Sequence, residues 1–278
     1  MIKIHVLHTG YVNISESLAF RDEVKKPSLP QLSILSSYGR KNRRCFPVSV
    51  YFIEHPEASI LFDCGWSKDM SPNGNYSKLA QIRHMSLPLF LANQGYVPKG
   101  KSLEGQLFET PDYVVLSHLD VDHASGLCEV KNSPNIMVSD KELEFAKKNK
   151  LRYVSRMWDD VDLKTFNFKQ DNPSIKTGPV GRSYDLLGDG SVELINIPGH
   201  TPGLTAMKIS HDEKFVLLFS DGGYGTASWK DLIMPGICDD EKSAFESLKW
   251  IRTLSLDKNC VESLANHDMN VRPHVIEL

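Results

Sequence analysis

The chain has 278 residues, 41% hydrophobic and 24% charged, proportions that exclude a disordered or fibrous protein. Its 32 Lys and Arg stand against 35 Asp and Glu, and a net charge of −3 leaves no basic footprint for nucleic acid. Five scattered cysteines, Cys45, Cys64, Cys128, Cys238 and Cys260, contain no Cys-x-x-Cys pair, which argues for reduced thiols rather than a disulfide framework or a zinc ribbon. No stretch approaches the ~18 apolar residues of a membrane span. The first residues, with His5 and His8 among them, lack the apolar centre of a signal peptide. The expectation is a cytoplasmic protein with no membrane or nucleic-acid partner, folded as one domain over residues 1–278, with its oligomeric state left open.

In chain order, Ile2–Leu7 opens as a strand whose Ile2, Ile4 and Val6 alternate with polar neighbours, the pattern of a half-exposed strand. Val48–Ile53 and Ser59–Phe62 follow as strands rich in β-branched and aromatic residues. The region Tyr76–Gly95 reads as partly helical with a break near Pro88, and 98–111 reads as loop. Tyr113–Leu116 and Asn135–Val138 are strands, with Val114–Leu116 buried on both faces. Ser139 followed by Glu142 is a capping-box signature for a helix carrying Leu143, Phe145 and Ala146. The charges of Lys141–Lys150 read as its solvated face. The span 160–190, dense in Gly, Pro, Asn and charge, reads as loop. Val192–Ile197 and Phe215–Phe219 are strands, and Asp239 or Asp240 caps a helix with Ala244, Phe245, Leu248, Ile251 and Leu254 at helical spacing. Strands, a polar loop, then strands and helices again describe an α/β sandwich with no dividing linker.

The stretch Leu116-Ser117-His118-Leu119-Asp120-Val121-Asp122-His123 carries the chemistry. Along an extended chain alternate residues share a face, which aims His118, Asp120 and Asp122 together, and His123 swings round as the backbone turns. Mixed imidazole and carboxylate ligands suit zinc, iron or manganese, whereas calcium calls for oxygen alone. A loop that merely capped a helix would not need two His and two Asp within six positions. Three further residues end apolar segments: His200 in Ile197-Pro198-Gly199-His200, Asp221 after Phe215–Phe219, and His267 in Ala265-Asn266-His267-Asp268. Each alone is ordinary; all three beside the cluster are not.

Asp63 in Leu61-Phe62-Asp63-Cys64-Gly65, the His118–His123 cluster, Pro198-Gly199-His200, Asp221 and His267 follow, in order, the five motifs of the metallo-β-lactamase superfamily, which the chain resembles from about residue 48 to 268. The resemblance implies an αββα four-layer sandwich. Within the superfamily the chain looks most like the N-acyl-homoserine lactonases, quorum-quenching enzymes that carry a tyrosine three residues after the bridging aspartate, as Tyr224 follows Asp221, and an aspartate after the last histidine, as Asp268 follows His267. One position departs from the H-x-H-x-D-H motif: the second histidine is Asp120.

The resemblance implies one metal on His118, Asp120 and His200, another on Asp122, His123 and His267, and Asp221 bridging. The two divalent ions would be zinc, with iron or manganese favoured by the added carboxylate, as in the flavodiiron reductases, which have glutamate there. The opposite outcome is a single metal in the second site, if Asp120 fails to reach. The implied reaction is the opening of a lactone ring, in an acyl-homoserine lactone or related small lactone, by a metal-bridged hydroxide. Tyr224 would bond the oxyanion, Asp122 would deliver the leaving-group proton, and Asp63 would hold the metal loops without touching metal. Alternatives are a di-iron redox or oxygen-binding protein, a hydrolase of thioesters or phosphodiesters, and a non-catalytic metal-stabilised binding module. Trp66, Met85 and Phe90 could contact an acyl chain, though packing explains them as well, and His8 could line the pocket.

Overall fold

Alternation along the strands sorts apolar side chains onto two faces and so generates two sheets with three apolar layers. The computed structural model describes residues 1–21, 43–68, 95–97, 102–170 and 177–278. Its first half contributes β1 (Lys3–Ser15), β2 (Arg43–Glu54), β3 (Ser59–Phe62), β4 (Gly95–Val97), β5 (Tyr113–Val115), β6 (Asn135–Ser139) and β7 (Leu163–Phe166). The second half adds β8 (Lys169–Gln170), β9 (Arg182–Asp185), β10 (Val192–Asn196), β11 (Thr205–His211), β12 (Lys214–Leu218), β13 (Cys260–Leu264) and β14 (His274–Glu277). One sheet has the order β14-β1-β2-β3-β5-β6-β7, with β4 also on β1; the other runs β13-β12-β11-β10-β9-β8.

On β2, Tyr51 and Ile53 face the other sheet and pack with Leu194, Met207, Ile209, Val216 and Leu218. Their neighbours Val48, Val50 and Phe52 face outward, and with Leu61, Val114, Ile136 and Val138 they pack against the helical side. That side holds the short helices α1 (Glu16–Ala19), α2 (Val121–Ala124) and α3 (Leu127–Val130), and then α4 (Asp140–Lys148). The outer face of the second sheet, with Ile195, Ala206 and Leu217, is covered by Leu248 and Ile251 of α6 (Glu241–Ser255), which follows α5 (Thr226–Asp231). The layers are therefore α, β, β, α, as the resemblance implied. Each fully buried aliphatic or aromatic side chain contributes roughly 1.5–3 kcal/mol. Among the described residues no helix is long and apolar enough to cross a membrane.

The seven expected strands are present, Ser59–Phe62 to the residue. Corrections concern their extent and the loops. β1 continues to Ser15, passing a register shift between His8 and Tyr11; before it the strand pairs with β14 and after it with β4. The span 160–190 is not all loop, since β7, β8 and β9 lie in it. They are short, with β7 half exposed and β9 mostly half-buried polar residues, so an apolar pattern does not announce them. Trp66 is fully buried and donates from Nε1 to Tyr11 O at 3.2 Å, which makes it core rather than pocket wall. The expected helix of Tyr76–Gly95, with His84, Met85 and Phe90, lies outside the described residues apart from Gly95, which starts β4.

Candidate metal centre

The strand directions decide where the polar residues meet. β3 and β5 are parallel neighbours in one sheet. In the other, β12 and β13 are parallel, and β10 runs the same way as β12 because both are antiparallel to β11. Asp63 follows β3, His118–His123 follow β5, His200 follows β10, Asp221 follows β12 and His267 follows β13. All seven proposed ligand residues and Asp63 therefore leave the carboxyl ends of strands, and the two sheets bring those ends together.

Each histidine is oriented by the bond its Nδ1 makes. His123 Nδ1 donates to Asp63 Oδ2 at 2.9 Å, His267 Nδ1 to Pro47 O at 2.7 Å, and His200 Nδ1 to Ile237 O at 2.9 Å. His118 Nδ1 lies 2.9 Å from Ser117 Oγ, which itself donates to Asp63 Oδ2 at 2.8 Å. These outward bonds fix the tautomer, so every Nε2 presents a lone pair inward, the arrangement that outer-shell acceptors give metal-binding histidines.

Asp63 organises three loops at once. Buried, with φ of 62°, it accepts from Ser117 N at 2.8 Å and Asn266 Nδ2 at 2.7 Å besides the Ser117 hydroxyl and His123. Burial alone would raise its pKa, but the His123 ring beside it and these bonds hold it below the usual carboxylate value.

The inward atoms converge. Asp221 Oδ1 is 3.3 Å from both His123 Nε2 and His267 Nε2, and Asp122 is 3.4 Å from His267 Nε2 and 3.9 Å from His123 Nε2. Ligands about 2.0–2.2 Å from a tetrahedral ion stand about 3.3–3.6 Å apart, which these separations approach. His118 Nε2, His123 Nε2 and Asp221 Oδ1 are buried without a hydrogen-bond partner, a costly state that a cation relieves. Burial opposes charge on His123 and His267, yet Asp221 and the other nearby carboxylates raise the proton affinity of both rings. The same negative field attracts a metal ion, and the donor chemistry fits one.

On the other side, His118 Nε2 and His200 Nε2 stand 3.3 and 3.0 Å from Asp120 Oδ2, and His200 Nε2 is 3.8 Å from Asp221 Oδ2. Here Arg152 intrudes, which the sequence reasoning missed. Its Nε donates to Asp120 Oδ1 at 2.8 Å and its Nη2 to Oδ2 at 2.6 Å. Glu142 was missed too: it is fully buried, not on a solvated face, and its Oε1 accepts from Leu119 N and Tyr153 Oη. The one available signal was Asp120 itself, since a carboxylate in place of an imidazole calls for a counter-charge.

Tyr224 stacks on His267, ring centroids 5.1 Å apart and planes inclined by 21°. Burial first, then the charges of Asp221 and Asp122, hold its phenol well above the usual range, so it stays a donor. Its backbone N–H donates to Ser228 Oγ at 3.0 Å, and Asp268 accepts from Thr226 N at 2.8 Å, which pins the loop that carries it.

Residues 43–248 match the sequence profile described as the metallo-beta-lactamase superfamily. The chain is 27% identical over 233 residues to the N-acyl homoserine lactonase AttM of Rhizobium radiobacter, covering 80% of this chain and 82% of that one. It superposes on the structure of an N-acyl homoserine lactone hydrolase with N-hexanoyl-L-homoserine bound at its catalytic metal centre, with a TM-score of 0.69, 21% identity and coverage of 96% and 93%. AidC, a dizinc quorum-quenching lactonase, matches at a TM-score of 0.59 with 16% identity over 97% of this chain and 88% of the other.

Proposed function

The chain belongs to the metallo-beta-lactamase superfamily, and from that premise we propose that it is a metal-dependent hydrolase opening an acyl-homoserine lactone or a related small lactone. The observation that carries this reading is the pair of buried, inward-facing donors with no partner, His123 Nε2 and Asp221 Oδ1, in a chain similar to lactonases over four-fifths of its length.

Asp122, His123, His267 and Asp221 would hold a divalent cation, zinc first, and their mixed imidazole and carboxylate donors suit iron or manganese as well. When bound, such an ion acidifies water and polarises a carbonyl oxygen. The protein's own groups do the rest. Tyr224 donates a hydrogen bond to the oxygen on which charge develops at the ester carbon, and it is pre-aimed by its stack on His267. Asp122, whose side chain is partly exposed, takes up the proton that the attacking water gives up and passes it to the alkoxide oxygen as the ring opens. Asp63 keeps the His123 ring and the loops at Ser117 and Asn266 in register. A second cation on His118, Asp120 and His200 would have to compete with Arg152.

A panel of acyl-homoserine lactones and simple lactones, assayed with zinc, manganese and iron forms, tests the proposal. Turnover that a chelator abolishes and added metal restores is the expected result. Failure of every form to open any lactone would overturn it, and an iron form with a visible absorption band but no turnover would point to redox chemistry.

A further inference from the structure

Asp120 does not face its two histidines alone. Besides the two bonds to Asp120, Arg152 Nη2 donates to His200 Nε2 at 2.8 Å, and Nη1 donates to His200 O at 3.4 Å. Because His200 Nδ1 is committed to Ile237 O, the lone pair that a metal would take is the one the guanidinium meets. One planar cation thus engages two of the three donors in this set, with the fork geometry in which arginine binds carboxylates most strongly.

The guanidinium is held there by the fold. Arg152 N and Tyr153 N both donate to Asn149 O at the end of α4. The Tyr153 ring lies 5.2 Å from the guanidinium carbon, and its hydroxyl donates to Glu142. The same Glu142 oxygen accepts from Leu119 N, next to Asp120. The arm carrying Arg152 and the loop carrying Asp120 are therefore tied to one buried carboxylate.

Charge balance agrees. Asp120, Asp122 and Asp221 are neutralised by Arg152 and one divalent ion; a second divalent ion beside the guanidinium would leave two positive charges uncompensated in a buried centre, which low-dielectric surroundings penalise.

We propose that the Arg152 guanidinium takes the place of the first metal ion, so that the centre holds a single divalent cation on Asp122, His123, His267 and Asp221. Asp120 then serves as the seat of a built-in positive charge rather than as a metal ligand. The inference rests on the proposed metal-binding centre, and its test counts ions, so it does not depend on finding the substrate.

Metal-stripped full-length protein is titrated with zinc and, separately, with cobalt(II), reading bound metal after equilibrium dialysis and the cobalt visible absorbance. The wild type saturates at one equivalent, and Arg152→Met takes up a second. Two equivalents in the wild type overturn the proposal. One equivalent in both proteins also overturns it, because Asp120 rather than Arg152 would then exclude the second ion. Should Arg152→Met fail to fold, Arg152→Gln carries the same expectation of two equivalents, and saturation at one counts against the proposal. A wild type that binds no metal at all would remove the underlying centre as well.

Discussion

Tyr224 rests its ring on His267 and has Phe46 at its edge, so a Phe in its place keeps both contacts and loses only the hydroxyl. Tyr224→Phe should lower kcat on a lactone by about tenfold or more with bound metal unchanged, since removing one pre-aimed oxyanion donor costs about 10²–10³ in turnover. Full activity in that variant would strip Tyr224 of its role. The residues at this scale that were legible in the sequence are those whose type is improbable for their place: His118, Asp120, Asp122 and His123 after an apolar strand, then His200, Asp221 and His267. Arg152 was illegible for the opposite reason. It follows Lys147, Lys148 and Lys150 in a run that looks solvated, and its partner Asp120 is 32 positions away in the chain. Nothing local records that fold-back. Glu142 was half legible: Ser139 Oγ does accept from Glu142 N at 3.2 Å as a cap, but the carboxylate turns inward to Leu119 and Tyr153.

Among the elements, α6 and the turn Pro198-Gly199-His200 form one unit. Asp239 N and Asp240 N donate to Gly199 O at 2.7 and 3.0 Å, and Ser247 Oγ donates to Pro198 O at 2.7 Å. Asp240 caps the helix by accepting from Ser243 N at 2.9 Å. Gly199 has φ of 147°, and a Cβ there would lie 2.3 Å from Ala244 Cα. Gly199→Ala should therefore push the helix from the turn, lowering stability by about 1–3 kcal/mol and weakening metal binding through His200. Urea denaturation with an unaltered m-value and a lower midpoint would register it; an unmoved midpoint would show that the contact yields. The longer helices α4 and α6 were readable from caps and spacing, and the central strands from β-branched runs, whereas α5 has no side-chain cap to announce it. The edges were not. β7 and β8 end their sheets, and β14 ends the first sheet on its other side; β7 and β14 spend many of their residues on solvent. β1 runs beyond the expected Ile2–Leu7 because the chain passes through His8-Thr9-Gly10 as an irregularity, with Gly10 at φ of 131°, instead of leaving the sheet.

For the molecule as a whole, acid sensitivity can be followed from β1. His8 Nε2 is buried without a hydrogen-bond partner. Burial first, then the positive charges of Arg272 and His274, lower its pKa from 6.5 to about 4. The unfolded chain takes up this proton near pH 6.5 while the folded one resists until about 4, so the stability from His8 is whole above 6.5 and is lost as pH falls toward 4, by up to about 3 kcal/mol. The urea midpoint of the wild type should then fall more steeply across that window than that of His8→Gln; parallel curves would remove His8 from the account. The donor atoms are also divided unevenly along the polypeptide. Residues up to 170 bring His118, Asp120, Asp122, His123 and Arg152, and those from 177 onward bring His200, Asp221 and His267. Neither stretch owns a full set, so an ion seated between them is a clasp across the seam. Any excursion that parts the two sheets must let go of it, and the rate of ion escape becomes a clock for how often the protein opens.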